Sequence, residues 1–340
     1  MAEAGRIVCF GELMLRLTAT HAGLLLQDRR LDCSFGGAEA NVAVSLARLG
    51  QPAAVATVLP DNPIGIAARD ELRGLGVDVS EVRLTAGRMG LYFLTPGAVL
   101  RPSEVLYDRA GSSFADAPPD LIDWDMALAE AGRLHLSGVT PAIGQRCADA
   151  AIRAAAAANR LGVPVSFDGN FRSKLWALWD GDAPSILRRL FESTEVAFAD
   201  DRDMALVLKL EFTEADPRER RRAAAEAAFD AFPRLQVVAS TFRDLASVGE
   251  QALSAVLFRR GGAEVTSGPF QLSGVVDRIG GGDAFTAGVL YGLHQGEGDR
   301  RALELGLANA VFKHSIFGDF NMAMRADLET ILSGAVDVRR

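Results

Sequence analysis

Lysine is almost missing from this sequence. Only Lys174, Lys209 and Lys313 stand among its 36 basic residues, so arginine carries nearly all the positive charge. No GxxxxGK[ST] stretch occurs, which excludes a P-loop as the means of holding phosphate. Cysteine is scarce as well: Cys9, Cys33 and Cys147 are odd in number, far apart, and outside any CxxC or CxxH spacing. That pattern excludes a zinc knuckle and a disulfide framework, and it fits thiols kept reduced. His21, His135, His294 and His314 lack metal-ligand spacing and are read as structural or surface groups. The opening "MAEAGRIVCFGELM" holds no apolar segment of signal-peptide length, and no run reaches the roughly 18 uncharged apolar residues of a membrane helix. A cytoplasmic protein without a membrane partner is expected. Net charge is -8, with acidic and basic residues interleaved through most of the chain. Such a surface does not suit nucleic acid, which leaves a small molecule as the expected partner.

What is present is apolar and periodic. Of 340 residues, 49% are hydrophobic, enough for a substantial core. Short apolar runs at 6–10, 53–58, 133–137, 163–168, 196–199 and 235–240 read as buried strands. Helical patterns lie between and after them at 39–49, 64–74, 145–161, 217–232 and 283–293. Strand and helix alternating at this spacing predict an α/β domain, a mostly parallel central sheet covered by helices on both faces. One region breaks the rhythm. Residues 84–112 alternate apolar and polar, carry glycine and proline punctuation, and hold Tyr92 and Tyr107. With residues 14–35 they are expected to form a small projecting β-sheet, a candidate lid on a single domain spanning 1–340.

Near the C-terminus, "VVDRIGGGDAFTAGVLYGL" runs three glycines into a helix. Gly280, Gly281 and Gly282 leave backbone N–H groups unobstructed at a helix N-terminus, where the dipole favours an anion. Asp283 then sits beside that anion, placed to take a proton from an attacking hydroxyl. The same residues also suit a plain glycine turn with Asp283 as its cap. A dinucleotide fingerprint is excluded, because Phe285 stands where its third glycine belongs. Earlier, "FGGAEANVAVSLARLG" sets Gly36 and Gly37 before a helix bearing Asn41. Backbone and amide there suit either a polyhydroxy ligand or a capped turn.

Together and in this order, the two glycine motifs resemble the two signatures of the PfkB (ribokinase-like) carbohydrate kinases, and the likeness runs end to end. "GELMLRL", "LYDRAGSSFA", "SFDGNFRSKLW" and "FKHSIFGDFN" resemble most the branch that phosphorylates the terminal hydroxyl of 2-keto-3-deoxygluconate. The resemblance implies a ribokinase-like three-layer α/β/α fold, ATP and Mg2+ as cofactors, Asp283 as catalytic base, and an anion hole from Gly280, Gly281 and Gly282. It also implies that Gly36, Gly37 and Asn41 hold the sugar. Arg109 and Arg172 are cationic forks fit to grip a sugar-acid carboxylate, and Tyr92 and Tyr107 fit to cover a deoxy carbon. Asp168, at a predicted strand end, is read as positioning Arg172 or the sugar.

On the nucleotide side the resemblance implies Asn170, Thr241, Arg243 and Asn309, with Asp200 and Asp203 in the magnesium network where relatives carry NxxE. The usual second signature, DTxGAGD, is altered here by Arg278 and Gly281. That change argues against a monovalent cation, which some relatives bind near this loop. A homodimer or higher homo-oligomer is expected from the lid strands. Kinases of neutral ketoses such as fructose, or of related keto-deoxy acids, are the nearest alternatives. A non-catalytic sugar or nucleotide sensor on the same fold is a more distant one.

Overall fold

Every residue of the segment AAVATVLP is buried, as a strand must be when helices cover both faces of its sheet. The computed structural model describes residues 5–245 and 247–335. Its strands are β1 (Arg6–Phe10), β2 (Met14–Ala19), β3 (Leu31–Gly36), β4 (Ala53–Pro60), β5 (Val82–Thr85), β6 (Leu91–Thr95), β7 (Glu104–Asp108), β8 (Ala131–Ser137), β9 (Val165–Asp168), β10 (Val196–Phe198), β11 (Val237–Leu245), β12 (Glu250–Arg259) and β13 (Val265–Ser273). Nine of them form one sheet, ordered β13-β12-β11-β10-β9-β8-β1-β4-β5. From β11 to β5 every neighbour is parallel; β12 and β13 are antiparallel. Alternate residues of β1 enter different cores, Val8 and Phe10 on one face, Ile7 and Cys9 on the other. The expected mostly parallel α/β architecture is therefore what the chain adopts.

Strand order places the ligand end. Leaving β1 the chain builds outward to β4 and β5, then returns to β8 and builds the other way. Loops beyond the carboxyl ends of such strands diverge and leave a crevice. Phe167 anchors one of these ends. It is fully buried in β9, packs edge-on against Phe191 at 4.9 Å, and Phe191 stacks on Phe232 at 5.6 Å. Truncating such a side chain costs about 3–5 kcal/mol, so Asp168, the next residue, is held firmly.

The second sheet has the order β3-β2-β6-β7. Its strands alternate, with Met14, Arg16, Tyr92 and Leu94 buried and Leu15, Leu17 and Phe93 only partly so. Leu84 and Thr85, included in the expected small sheet, belong instead to β5 at the edge of the large one. β11 runs on to Leu245, beyond its expected end, because its last residues pair with β12 outside the helical layer. The helix 281–294 starts two residues before the expected one, at Gly281 itself.

Candidate active site

The turn that carries the three glycines is built by close packing. Gly280 has φ +80°, and a Cβ there would lie 2.3 Å from the main-chain oxygen of Asp319. Only glycine meets both conditions. The Gly281 N–H donates to the carbonyl of Arg278 at 3.2 Å, while among the described residues no acceptor meets the N–H groups of Gly280 and Gly282. Of the three expected anion-hole donors, Gly281 is therefore turned inward and two are free. His314 backs this turn: a Cβ on Gly281 would come within 2.8 Å of its ring. Burial pushes the His314 ring down to about 4, so it is neutral, and Nδ1 carries the proton it donates to the carbonyl of Ala310.

Asp283 sits in the first turn of this helix. Burial raises its carboxyl to about 6, against the pull of the Asn41 amide, which donates to Oδ2 at 2.6 Å. Asp319 raises it further, and Arg172 and Lys313 oppose. Asn41 Oδ1 accepts the Gly37 N–H at 3.2 Å, which fixes the way the amide faces. Asn41 thus joins the two glycine motifs. Gly36 is not on the cleft wall; it lies where a side chain would meet the carboxylate of Asp319.

A cleft of about 760 Å³ opens in front of Asp283 at the carboxyl ends of β9, β10 and β11. Asp168, Asn170, Arg172, Asp200, Asp203, Thr241 and Arg243 all line it. Asn170 has φ +37°, a left-handed conformation that asparagine adopts more readily than other side-chain-bearing residues, at a position facing the cleft. Arg172 is exposed and among the described residues donates only to the carbonyl of Phe171, so its guanidinium is available. Burial and the neighbouring Asp283 and Asp203 raise the Asp168 carboxyl well above its ordinary range. Burial, with Asp200 nearby, raises Asp203 to about 7. Asp200 itself caps the helix Asp201–Leu208 and pairs with Arg202 at 2.6 Å. Arg243 and Arg278 also face the cleft, and neither has an ion pair or side-chain hydrogen bond among the described residues. Arg243 is exposed to the cleft; partial desolvation by the cleft walls, then Arg278, lowers its pKa, which marks two unbalanced cations close together.

On the side of the small sheet the arrangement differs from expectation. Arg109 lines the cleft, but it is buried and its Nε and Nη2 already bond Glu12 at 2.7 and 2.6 Å. Its Nη1 is buried without a hydrogen-bond partner among the described residues. Tyr92 donates its hydroxyl to Asp319 at 2.5 Å, and its ring lies 6.1 Å from that of Tyr107. Asp319 is in turn held by Arg16 at 2.8 Å, which also grips Asp277 at 2.6 Å. Asn309 lies away from the cleft, fully buried, with its amide on Ser45 and the carbonyl of Ala284. It braces the two glycine-led helices against each other. Sequence reasoning passed over Asp319 and Arg221 and took Arg278 only as a departure from the signature, yet all three line the cleft. The aspartate stands in the quoted "FKHSIFGDFN", where the glycine before it was the available signal.

A bare helix N-terminus, an adjacent half-buried carboxylate and unbalanced guanidiniums lining one cleft can together hold an anionic group beside a base. The pfkB family carbohydrate kinase pattern matches residues 4–319, and the chain belongs to that family: it is a sugar kinase. A 2-dehydro-3-deoxygalactonokinase of Haloferax volcanii is 34% identical over 328 residues, 96% of each chain. The crystal structure of a 2-dehydro-3-deoxygluconokinase from Thermotoga maritima is also 34% identical, with TM-score 0.91 over 97% of this chain and 100% of its own. A putative ribokinase II from E. coli, 18% identical with TM-score 0.79 over 97% of this chain and 99% of its own, shares the ribokinase-like fold.

Proposed function

We propose that this kinase transfers the γ-phosphoryl group of ATP to the terminal hydroxyl of a 2-keto-3-deoxy sugar acid, 2-keto-3-deoxygluconate being the substrate put forward. The observation that carries this reading is the exposed, unpaired guanidinium of Arg172 across the cleft from Asp283. A carboxylate on the sugar would bind that fork while the far hydroxyl reaches Asp283. Tyr107 and the partnerless Nη1 of Arg109 offer further contacts from the small sheet, which acts as a lid over the sugar.

Asp283 takes the proton as the hydroxyl attacks, and its pKa near 6 leaves it ionised at neutral pH yet basic enough to accept. The free N–H groups of Gly280 and Gly282, with the positive end of the helix, meet the charge on the transferring oxygens. Arg243 and Arg278 receive the nucleotide phosphates, with Thr241 and Asn170 beside them. No three-residue metal cluster exists among the described residues. Asp168 and Asp203 fit a hydrated Mg2+ carried by the phosphates, since a divalent cation relieves their mutual repulsion. Bound there, Mg2+ would supply neutralisation of the nucleotide's phosphate charge.

A homodimer belongs to the same reading. Leu17, Phe93 and Leu106 are cross-strand neighbours on one face of the small sheet, and Leu106 is 58% exposed. Light scattering at micromolar concentration tests it; a monomer rejects it. The catalytic reading is tested by ADP release with MgATP and a panel of 2-keto-3-deoxygluconate, 2-keto-3-deoxygalactonate, fructose and ribose. Turnover of the keto-deoxy acids alone supports the proposal, and the ratio of the first two fixes the epimer. Faster turnover of a neutral sugar rejects it.

A further inference from the structure

Lys313 ends the helix Gly298–Lys313 with its side chain wholly inside the protein. Its ammonium donates to the main-chain carbonyl of Ile316 at 3.2 Å and lies 3.5 Å from that of Asp277. These carbonyls belong to the two loops that make the glycine turn. Asp277 begins the run into Gly280, and the Ile316 loop leads to Asp319, whose own carbonyl abuts Gly280. The lysine stem passes beneath: a Cβ on Gly280 would be 3.4 Å from Cε.

The charges around the ammonium are Asp277, Asp319, Asp283 and Arg16. Arg16 is bonded to both Asp277 and Asp319. Two cations therefore face two shared carboxylates, with Asp283 left over. Lys313 forms no ion pair within 4.0 Å among the described residues, so carbonyl dipoles are its direct ligands. A buried unit charge held by backbone oxygens is how proteins coordinate K+ in place of its water shell.

We infer that Lys313 is a built-in monovalent cation, a positioning residue that clamps the loop 277–282 in its anion-binding shape, and that the enzyme needs no K+ or NH4+. The clamp acts through the Gly280 turn and does not touch substrate. The inference rests on the kinase reading for its kinetic arm only.

The test compares wild type with Lys313→Met, which keeps the stem and removes the charge. Assays run with KCl or NH4Cl, ionic strength being held by tetramethylammonium chloride. Wild-type kcat is expected to be flat; saturable activation of wild type by K+ overturns the inference even if the variant does not fold. In Lys313→Met, kcat is expected to fall about 10²-fold with little change in sugar KM, as a turn displaced by about 1 Å would give. NH4+ or K+ should restore part of it saturably. Unchanged kcat, or a loss no small cation relieves, overturns the proposal. Thermal melts supply a readout independent of substrate: K+ should raise the Tm of the variant above its value in tetramethylammonium and leave wild type unmoved.

Discussion

Asn41 donates its amide to Oδ2 of Asp283 across 2.6 Å, joining positions 242 residues apart. Because Oδ1 is occupied by the Gly37 N–H, the amide cannot turn away without losing a second bond. The bond favours the ionised form of Asp283 against burial. Asn41→Ala removes that donor, so the Asp283 pKa rises from about 6. The acid limb of kcat/KM should then move to higher pH, with the largest rate loss below neutrality. An unmoved limb in the pH-rate profile counts against Asp283 as the base.

Asp283→Asn removes the proposed base outright. Turnover should fall by about 10²–10⁴-fold, read by ADP release. Stability should move the other way. The native carboxyl titrates at about 6 instead of 3.8, so the folded state holds its proton longer than the unfolded one. Its contribution is present at low pH and lost as pH rises through about 6. At pH 8 a half-buried ionised carboxylate is being tolerated, so the Tm of Asp283→Asn should equal or exceed that of wild type.

Arg172 and Arg109 separate by what they already hold. Arg172→Ala should raise the sugar-acid KM about 10–10²-fold, the loss of a hydrogen bond to a charged group, and leave urea stability within about 0.5 kcal/mol. Arg109→Ala strands the buried Glu12 and should cost about 3–5 kcal/mol. The double variant Glu12→Gln with Arg109→Ala should recover part of that loss. Equal destabilisation by Arg172→Ala and Arg109→Ala would contradict the pairing.

Glu39 supplies a pH dependence of stability. Burial lifts its carboxyl to about 7, although Ser137 and Thr140 bond its Oε1. Folded protein keeps this proton while the unfolded chain releases it near 4.5, so stability falls as pH rises from about 4.5 to about 7. Glu39→Gln, neutral throughout, should flatten that part of a Tm-versus-pH curve.

The glycine turn could be read from sequence because its cause is local. Three glycines before a helical pattern already imply bare N–H groups, and the structure differs only in turning Gly281 inward. Arg109 was only partly legible, for the opposite reason. Its motif shows a cation but not Glu12, 97 residues away, which takes two of its donors. Asn309 looked like a nucleotide contact and is a brace between helices, since its partners Ser45 and Ala284 lie on two other segments.

Hydrophobic period and glycine placement, which depend on neighbours in the chain, determined by themselves the α/β class, the parallel sheet and the position of Asp283. Only the tertiary structure decided which charges are spent and which are free: Arg16 on Asp277 and Asp319, Arg109 on Glu12, Lys313 on two carbonyls, and Arg172 open to the cleft. Electrostatic pairing is set by distance and burial in the fold, and neither is written in sequence separation.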